Sequence, residues 1–99
     1  MNRELIRHRE TTFLARVSGN SLNDAGICDG DIVIVEKCKN VKNKDLVVAI
    51  TDENVITLKT YYKENGYIRL QPENDFENPI IQDKVTILGK VIGMYRKFK

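Results

Sequence analysis

The chain has 99 residues, 41% of them hydrophobic, and a formal net charge of +2. This length supports one small domain, and so small a charge does not indicate direct nucleic-acid binding. Its apolar runs are much shorter than the ~20 residues that cross a bilayer, so we expect no membrane association. Cys28 and Cys38 have no partner at metal-ligand spacing, and His8 is the only histidine. We therefore expect no metal or other cofactor, no Ser-His-Asp triad, and reduced thiols in a cytoplasmic protein.

Most of the predicted elements are β-strands. Apolar and β-branched residues favour strands at residues 13–17, 32–35, 46–50, 55–62, 67–70 and 85–94. Turn residues at 29–31 and 51–54 separate two pairs of neighbouring elements. The one helical candidate is the short segment 21–25, which Gly26 closes in a left-handed C-terminal position. We predict a mainly β fold of about six or seven strands, with one short helix at Ser21.

Ser21 and Lys59 are the candidate catalytic residues. Ser21 lies on a predicted strand-to-helix turn, and Lys59 lies among strand-forming apolar residues. A serine hydroxyl needs a neighbouring base before it becomes a good nucleophile, and an amine is a base only when it is neutral. Because burial against apolar walls disfavours the ammonium form, a lysine in this setting can have a lowered pKa. The pair therefore predicts a Ser–Lys hydrolase, with Ser21 as nucleophile and Lys59 as general base.

Each residue also has a purely structural interpretation. A serine before Leu-Asn-Asp-Ala is often just a helix N-cap, whose oxygen accepts a backbone N–H of the first turn. A lysine in a half-buried strand usually extends its amine to solvent. The surrounding motifs are what make the catalytic interpretation of the pair specific.

Those motifs resemble the LexA/UmuD/phage-repressor family of self-cleaving peptidases. The resemblance runs from about Thr12 to Tyr95, and the Ser21–Lys59 separation fits it. It is carried by Val17-Ser18-Gly19-Asn20-Ser21-Leu22, Ala25-Gly26-Ile27-Cys28-Asp29-Gly30-Asp31, Val55-Ile56-Thr57-Leu58-Lys59, Leu70-Gln71-Pro72-Glu73-Asn74 and Val85-Thr86-Ile87-Leu88-Gly89-Lys90. It implies a residual N-terminal arm at residues 1–11 and a Ser–Lys peptidase-like domain at residues 12–99.

Within that family the predicted function is that of the UmuD-like branch. The segment Leu5-Ile6-Arg7-His8 resembles the lead into the serine strand of that branch, and only about a dozen residues precede the domain, too few for a helix-turn-helix module. The resemblance then implies a self-processing accessory subunit of an error-prone translesion DNA polymerase. Two alternatives stay open: the dimerisation and self-cleavage domain of a LexA- or phage-type repressor, and a binding module that has kept the fold and lost catalysis.

The chain departs from the family pattern near the serine and in its N-terminal arm. Asn20 stands where an acidic residue is usual, which removes a charge, and Leu22 replaces a methionine of similar volume. No Cys-Gly or Ala-Gly dipeptide precedes Ser21, because the only Ala-Gly is Ala25-Gly26 within the motif. We therefore expect a processed or trimmed form that lacks its own cleavage site.

The resemblance also implies partners. They are a second copy of the chain in a homodimer, with residues 85–95 near the contact, and a Y-family DNA polymerase subunit of the UmuC type. A RecA filament on single-stranded DNA would stimulate cleavage of the arm after DNA damage, in a bacterial cytoplasm.

Overall fold

The computed structural model describes residues 11–96, and nearly all of its regular structure is β-strand. The strands are β1 (Thr12–Arg16), β2 (Ile32–Lys37), β3 (Leu46–Ile50), β4 (Ile56–Lys63), β5 (Ile68–Gln71), β6 (Ile80–Gln82) and β7 (Thr86–Tyr95). The mainly β prediction is confirmed, and every predicted strand lies within two residues of an observed one. The short strand β6 is the one that the sequence analysis missed.

The segment after Ser21 forms less helix than predicted. A single 3-10 turn spans Asn23–Ala25, and the residue that flanks its start is Leu22, not Ser21. The predicted closure is confirmed, since Gly26 has φ 82° and donates its N–H to the carbonyl of Asn23. Glycine reaches this left-handed conformation without the steric cost that a Cβ imposes. Ser21 is therefore placed by a tight turn and not by the start of a helix.

All seven strands join one antiparallel sheet in the order β1-β2-β7-β3-β4-β5-β6. β7 lies between β2 and β3, and its register shifts once against each neighbour. Irregularities of this kind bend a strand and increase its twist. Residues of β1 and β4, which have three strands between them in the sheet order, consequently line the same cleft.

The hydrophobic core forms two clusters, and β3 contributes to both. Val48 belongs to the first, with residues of β2 and of the segment around the serine, while Val47 and Ala49 belong to the second with Tyr61 and Leu70. Because successive strand residues point to opposite faces, β3 is buried on both sides. This explains why residues 46–50 form an unbroken apolar run.

The predicted arm lies almost wholly outside the described residues, as do Leu5-Ile6-Arg7-His8 and the last three residues of the chain. Within residues 11–96, none of the helical structure is long and apolar enough to traverse a lipid bilayer.

Candidate active site

Ser21 lies on the segment of residues 17–31, here called the serine loop, which joins β1 to β2. Hydrogen bonds between its two ends hold it closed. Val17 donates its N–H to the carbonyl of Asp31 at 2.8 Å, and Gly30 donates to the carbonyl of Val17 at 2.8 Å. The side chain of Leu22 is 1% exposed and packs in the first core cluster. Burial of one neighbour against the core therefore turns Ser21 outward, where it is half-buried. Leu22, which stands where the family pattern has a methionine of similar volume, therefore lies in the core.

Lys59 reaches Ser21 from β4. Its Nζ lies 3.3 Å from Ser21 Oγ and donates to Thr57 Oγ1 at 2.9 Å. The residue is 8% exposed, and it pairs with the fully buried Val47 across the β3–β4 ladder. Burial lowers the pKa of the Lys59 amine, because the charged form loses hydration, and the negative charge of Glu77 opposes part of that shift. The structure thus brings together the two predicted residues and gives the lysine an environment that favours its neutral form.

Glu77 is a third member of the site, which sequence reasoning missed. Ser21 Oγ lies 2.8 Å from both carboxylate oxygens of Glu77 and donates its hydrogen bond to that carboxylate. The hydrogen bond from Ser21, with weaker contributions from Asn74 and Lys59, lowers the pKa of Glu77. The carboxylate is consequently ionised at neutral pH. Asn20 brings no charge to residues 19–22, here called the serine turn. Glu77 brings a negative charge to Ser21 from a different loop.

Residues 73–77, here called the carboxylate loop, are fastened to the serine turn by the backbone. Glu73 donates its N–H to the carbonyl of Ser21 at 2.5 Å, and Asp24 donates to the carbonyl of Glu73 at 2.7 Å. The Asn74 amide donates to the Asn20 carbonyl at 2.9 Å. Together these bonds dock the carboxylate loop directly against the nucleophile.

Asn74 also sets the direction of Glu77 within the loop. Its Oδ1 accepts the backbone N–H groups of Phe76 and Glu77, each at 2.9 Å, and its Nδ2 donates to Glu77 Oε1 at 3.2 Å. Asparagine favours such local turns because its short side chain mimics a backbone group. That turn preference is a sequence signal for the loop, but it carries no information on where the loop docks.

The amides that follow Leu22 are already engaged. Asn23, Asp24, Ala25 and Gly26 donate their N–H groups to carbonyls of the protein. A helix that started at Ser21 would leave such N–H groups free to face a developing oxyanion, but in this conformation they are not free. The physical reason is that a 3-10 turn and the docked carboxylate loop use the donors that a longer helix would leave free.

A cleft of about 310 Å³ opens beside the serine. Residues 15–18, at the end of β1, and residues 56–59, the first half of β4, line it together with Ser21, Leu22 and Val48. Its lining is largely apolar, with Lys59 and Arg16 as the charged residues. An extended segment fits such a cleft, because β1 and the first half of β4 each have an unpaired edge there and the lining offers apolar contacts.

Comparison with known proteins agrees with this geometry. The profile described as Peptidase S24-like matches residues 1–92. The chain is 54% identical over 84 residues to a LexA repressor of Ligilactobacillus salivarius, a match that covers 85% of this chain and 41% of that protein. It is 54% identical over 87 residues to a LexA repressor of Brevibacillus brevis, covering 88% and 42%. A LexA repressor of Clostridium botulinum is 45% identical over 95 residues, covering 96% and 47%.

These relatives bear on the predicted branch of the family. The chain spans less than half the length of each of them. They carry the name of a repressor, which fits the alternative prediction better than the polymerase-subunit prediction. Because the relatives are longer than this chain, the short stretch before the serine does not distinguish the two branches. The UmuD-like assignment and the UmuC-type partner have no support from these matches.

Proposed function

The chain belongs to the Peptidase S24-like family, and from that premise we propose that it is the self-cleaving and dimerising domain of a LexA-type repressor. The observation that carries the proposal is the approach of the buried Lys59 Nζ to within 3.3 Å of Ser21 Oγ. A Ser–Lys pair of this kind cleaves a peptide bond without histidine or metal.

In the proposed reaction, an extended segment of the same polypeptide, or of a dimer mate, docks in the cleft. Neutral Lys59 takes the Ser21 proton while Oγ attacks the scissile carbonyl carbon. The resulting ammonium returns the proton to the leaving amine as the peptide bond breaks. Water then attacks the acyl-serine, again with Lys59 as base, and restores the hydroxyl. The first proton transfer requires Lys59 to be deprotonated, so burial of the amine serves the reaction directly.

The proposal keeps two partners and replaces a third. A second copy of the chain fits the exposed apolar residues Ile92, Met94 and Tyr95 of β7, which lie in the segment predicted to be near the dimer contact. A RecA filament on single-stranded DNA remains the proposed activator of cleavage, in the bacterial cytoplasm. The third predicted partner, the polymerase subunit, is replaced by DNA. In a repressor a separate module recognises the DNA.

The size of the endogenous protein before and after DNA damage separates these functions. We expect an immunoblot against this domain to show a protein about twice as long as this chain, as the shares of 41–47% in the relatives suggest, and a shorter product after damage. A precursor longer by only a short arm would favour the polymerase subunit. One unchanging band would favour the catalytically silent module.

Purified Ser21→Ala and Lys59→Ala variants of the intact protein test the chemistry. Each removes one half of the proposed pair, so we expect cleavage to fall to background while circular dichroism still reports a β fold. Asp75→Asn, in the exposed part of the carboxylate loop, is the matched control and should be cleaved at the normal rate. Normal cleavage in the Ser21 or Lys59 variant would overturn the mechanism.

A further inference from the structure

The hydrogen bonds at Ser21 run in the wrong direction for nucleophilic attack. Lys59 Nζ donates to Ser21 Oγ, and Ser21 Oγ in turn donates to the Glu77 carboxylate. A serine activated by a lysine base must instead donate its proton to a neutral amine. In the structure the serine proton points to a carboxylate, and the lone pairs of Oγ face a donor. In this arrangement Ser21 is not activated for attack.

Charge reinforces that resting arrangement. The ionised Glu77 carboxylate attracts the ammonium form of Lys59 and so opposes the effect of burial on its pKa. The segments that meet at the pair carry other charged groups: Arg16 in the cleft, Asp24 in the 3-10 turn, and Glu73 and Asp75 in the carboxylate loop. The Glu73 carboxylate accepts a hydrogen bond from Thr60 at 2.8 Å. Glu77 is the carboxylate that contacts the nucleophile directly.

We propose that Glu77 is a built-in restraint on Ser21: its carboxylate accepts the hydrogen bond of the serine hydroxyl, so that the carboxylate loop must withdraw before the serine reacts. The inference rests on the proposed function, since it assumes that Ser21 and Lys59 form the reactive pair. Glu77 is exposed, and the loop is held to the serine turn by a handful of hydrogen bonds. None of residues 73–77 belongs to either core cluster, so withdrawal of the loop does not require the core to open.

A fluorophosphonate probe measures the reactivity of Ser21 without any peptide substrate. Ser21 Oγ attacks phosphorus, the phosphorus–fluorine bond breaks, fluoride leaves, and the hydroxyl proton passes to neutral Lys59. The labelling rate of the full chain, recorded against pH, thus reports both the availability of the hydroxyl and the protonation of Lys59.

Glu77→Gln keeps the shape of the side chain and removes its charge. We expect this variant to be labelled about tenfold faster near neutral pH, the order of change produced by losing one hydrogen bond to a charged group. Its pH profile should move to lower pH, because Lys59 loses the negative neighbour that favours its protonation. Glu77→Ala should be labelled at least as fast. Asp75→Asn, which removes a carboxylate from the same loop, should keep the native rate and profile.

The outcomes separate the two proposals. Labelling that depends on Ser21 but is unchanged in Glu77→Gln would overturn the restraint and leave the Ser–Lys function standing. Slower labelling in Glu77→Gln would also overturn it, because Glu77 would then assist the serine. Absence of Ser21-dependent labelling in every variant at every pH would overturn both. Thermal unfolding midpoints of the variants distinguish a more reactive Ser21 from a destabilised fold. If Glu77 had only a structural role, its substitution would lower the midpoint and leave the pH profile of labelling unchanged.

Discussion

At the scale of a single residue, burial of Lys59 has two consequences: it costs stability when the amine is charged, and it makes the amine a better base. Its 8% exposure weakens the hydration of an ammonium group, and the same burial lowers its pKa toward the range where the amine can act as a base. A group with a lowered pKa in the folded state binds fewer protons there than in the unfolded state. Stability associated with Lys59 is thus lost as pH falls below the unfolded pKa and regained as pH rises toward it.

Substitution of Lys59 separates charge from base strength. Arginine stays protonated in proteins, so Lys59→Arg should lose Ser21 labelling at every pH although it keeps the positive charge. Lys59→Met should also lose labelling, yet it should raise the free energy of unfolding by up to about 1 kcal/mol, because an apolar side chain of similar volume has no hydration to lose. Urea unfolding and fluorophosphonate labelling measure the two effects. Labelling of the arginine variant at the native rate would contradict the base role.

The sequence predicts the pair of Ser21 and Lys59 but does not predict the role of Glu77. Ser21 and Lys59 stand in motifs with local turn and strand signals, and the family resemblance linked them across 38 positions. Glu77 lies in a loop 56 positions from Ser21, and only its hydrogen bond to the serine gives it a role. A loop carboxylate is ordinarily solvated, so no local pattern distinguishes this one. Contacts between a loop and a distant turn depend on the completed fold.

At the scale of elements, β7 determines how the sheet bends. It pairs with β2 and β3 and shifts register against both. Gly89 lies in this region, opposite Lys37 on one side and Val48 on the other. A Cβ at Gly89 would lie 2.7 Å from Val35 Cγ1 and closer still to the carbonyl oxygen of Glu36. The backbone of β2 therefore approaches β7 in space that only glycine leaves free.

Gly89→Ala should destabilise the fold by about 1–3 kcal/mol, the usual cost of forcing an extra methyl group into a packed core. Gly93→Ala is the matched control on the same strand. Its new Cβ would meet the flexible tip of Ile34 at 3.3 Å, so a small side-chain shift accommodates it. Thermal or urea unfolding compares the two variants. Equal stabilities would show that the close approach at Gly89 relaxes without cost.

The strands predicted from sequence are those long enough to show an apolar pattern. The strands of five or more residues carry clear apolar patterns, whereas β6 has three residues, at Ile80–Gln82, and follows directly after Pro79. So short an edge strand leaves almost no periodic signal. The short helix predicted at residues 21–25 is present only as a single 3-10 turn at Asn23–Ala25. Three residues are too few for side-chain periodicity to show which kind of helical turn forms. Packing of Leu22 into the core then decided the geometry.

At the scale of the whole molecule, one ion pair joins the end of β7 to the segment that carries the serine. Arg96 donates from Nη2 to Asp31 Oδ2 at 2.7 Å and from Nε to Oδ1 at 3.0 Å, and it also donates to the carbonyl of Gly26 at 2.8 Å. Asp31 is 6% exposed and accepts the N–H of Cys28. Residues 65 positions apart are thereby held together beside the loop that places Ser21.

This ion pair predicts a specific acid dependence of stability. The hydrogen bonds from Arg96, followed by that from Cys28, lower the pKa of Asp31 from 3.8 to about 2. A carboxyl group with a lowered folded pKa stabilises the fold fully above the unfolded pKa and loses that contribution as pH falls through the folded value. We therefore expect the urea midpoint to fall steeply between about pH 4 and pH 2.

Arg96→Gln should make that fall shallower and shift it to higher pH, because the pKa of Asp31 then returns toward its ordinary value. It should also lower the midpoint at neutral pH and disturb the serine loop, which slower labelling of Ser21 would report. Arg69→Gln is the matched control, since it breaks the surface pair with Glu64 and leaves Asp31 untouched. An unchanged acid profile in Arg96→Gln would mean that Asp31 owes its low pKa to the Cys28 amide instead, and that the end of β7 is not coupled to the serine loop through this pair.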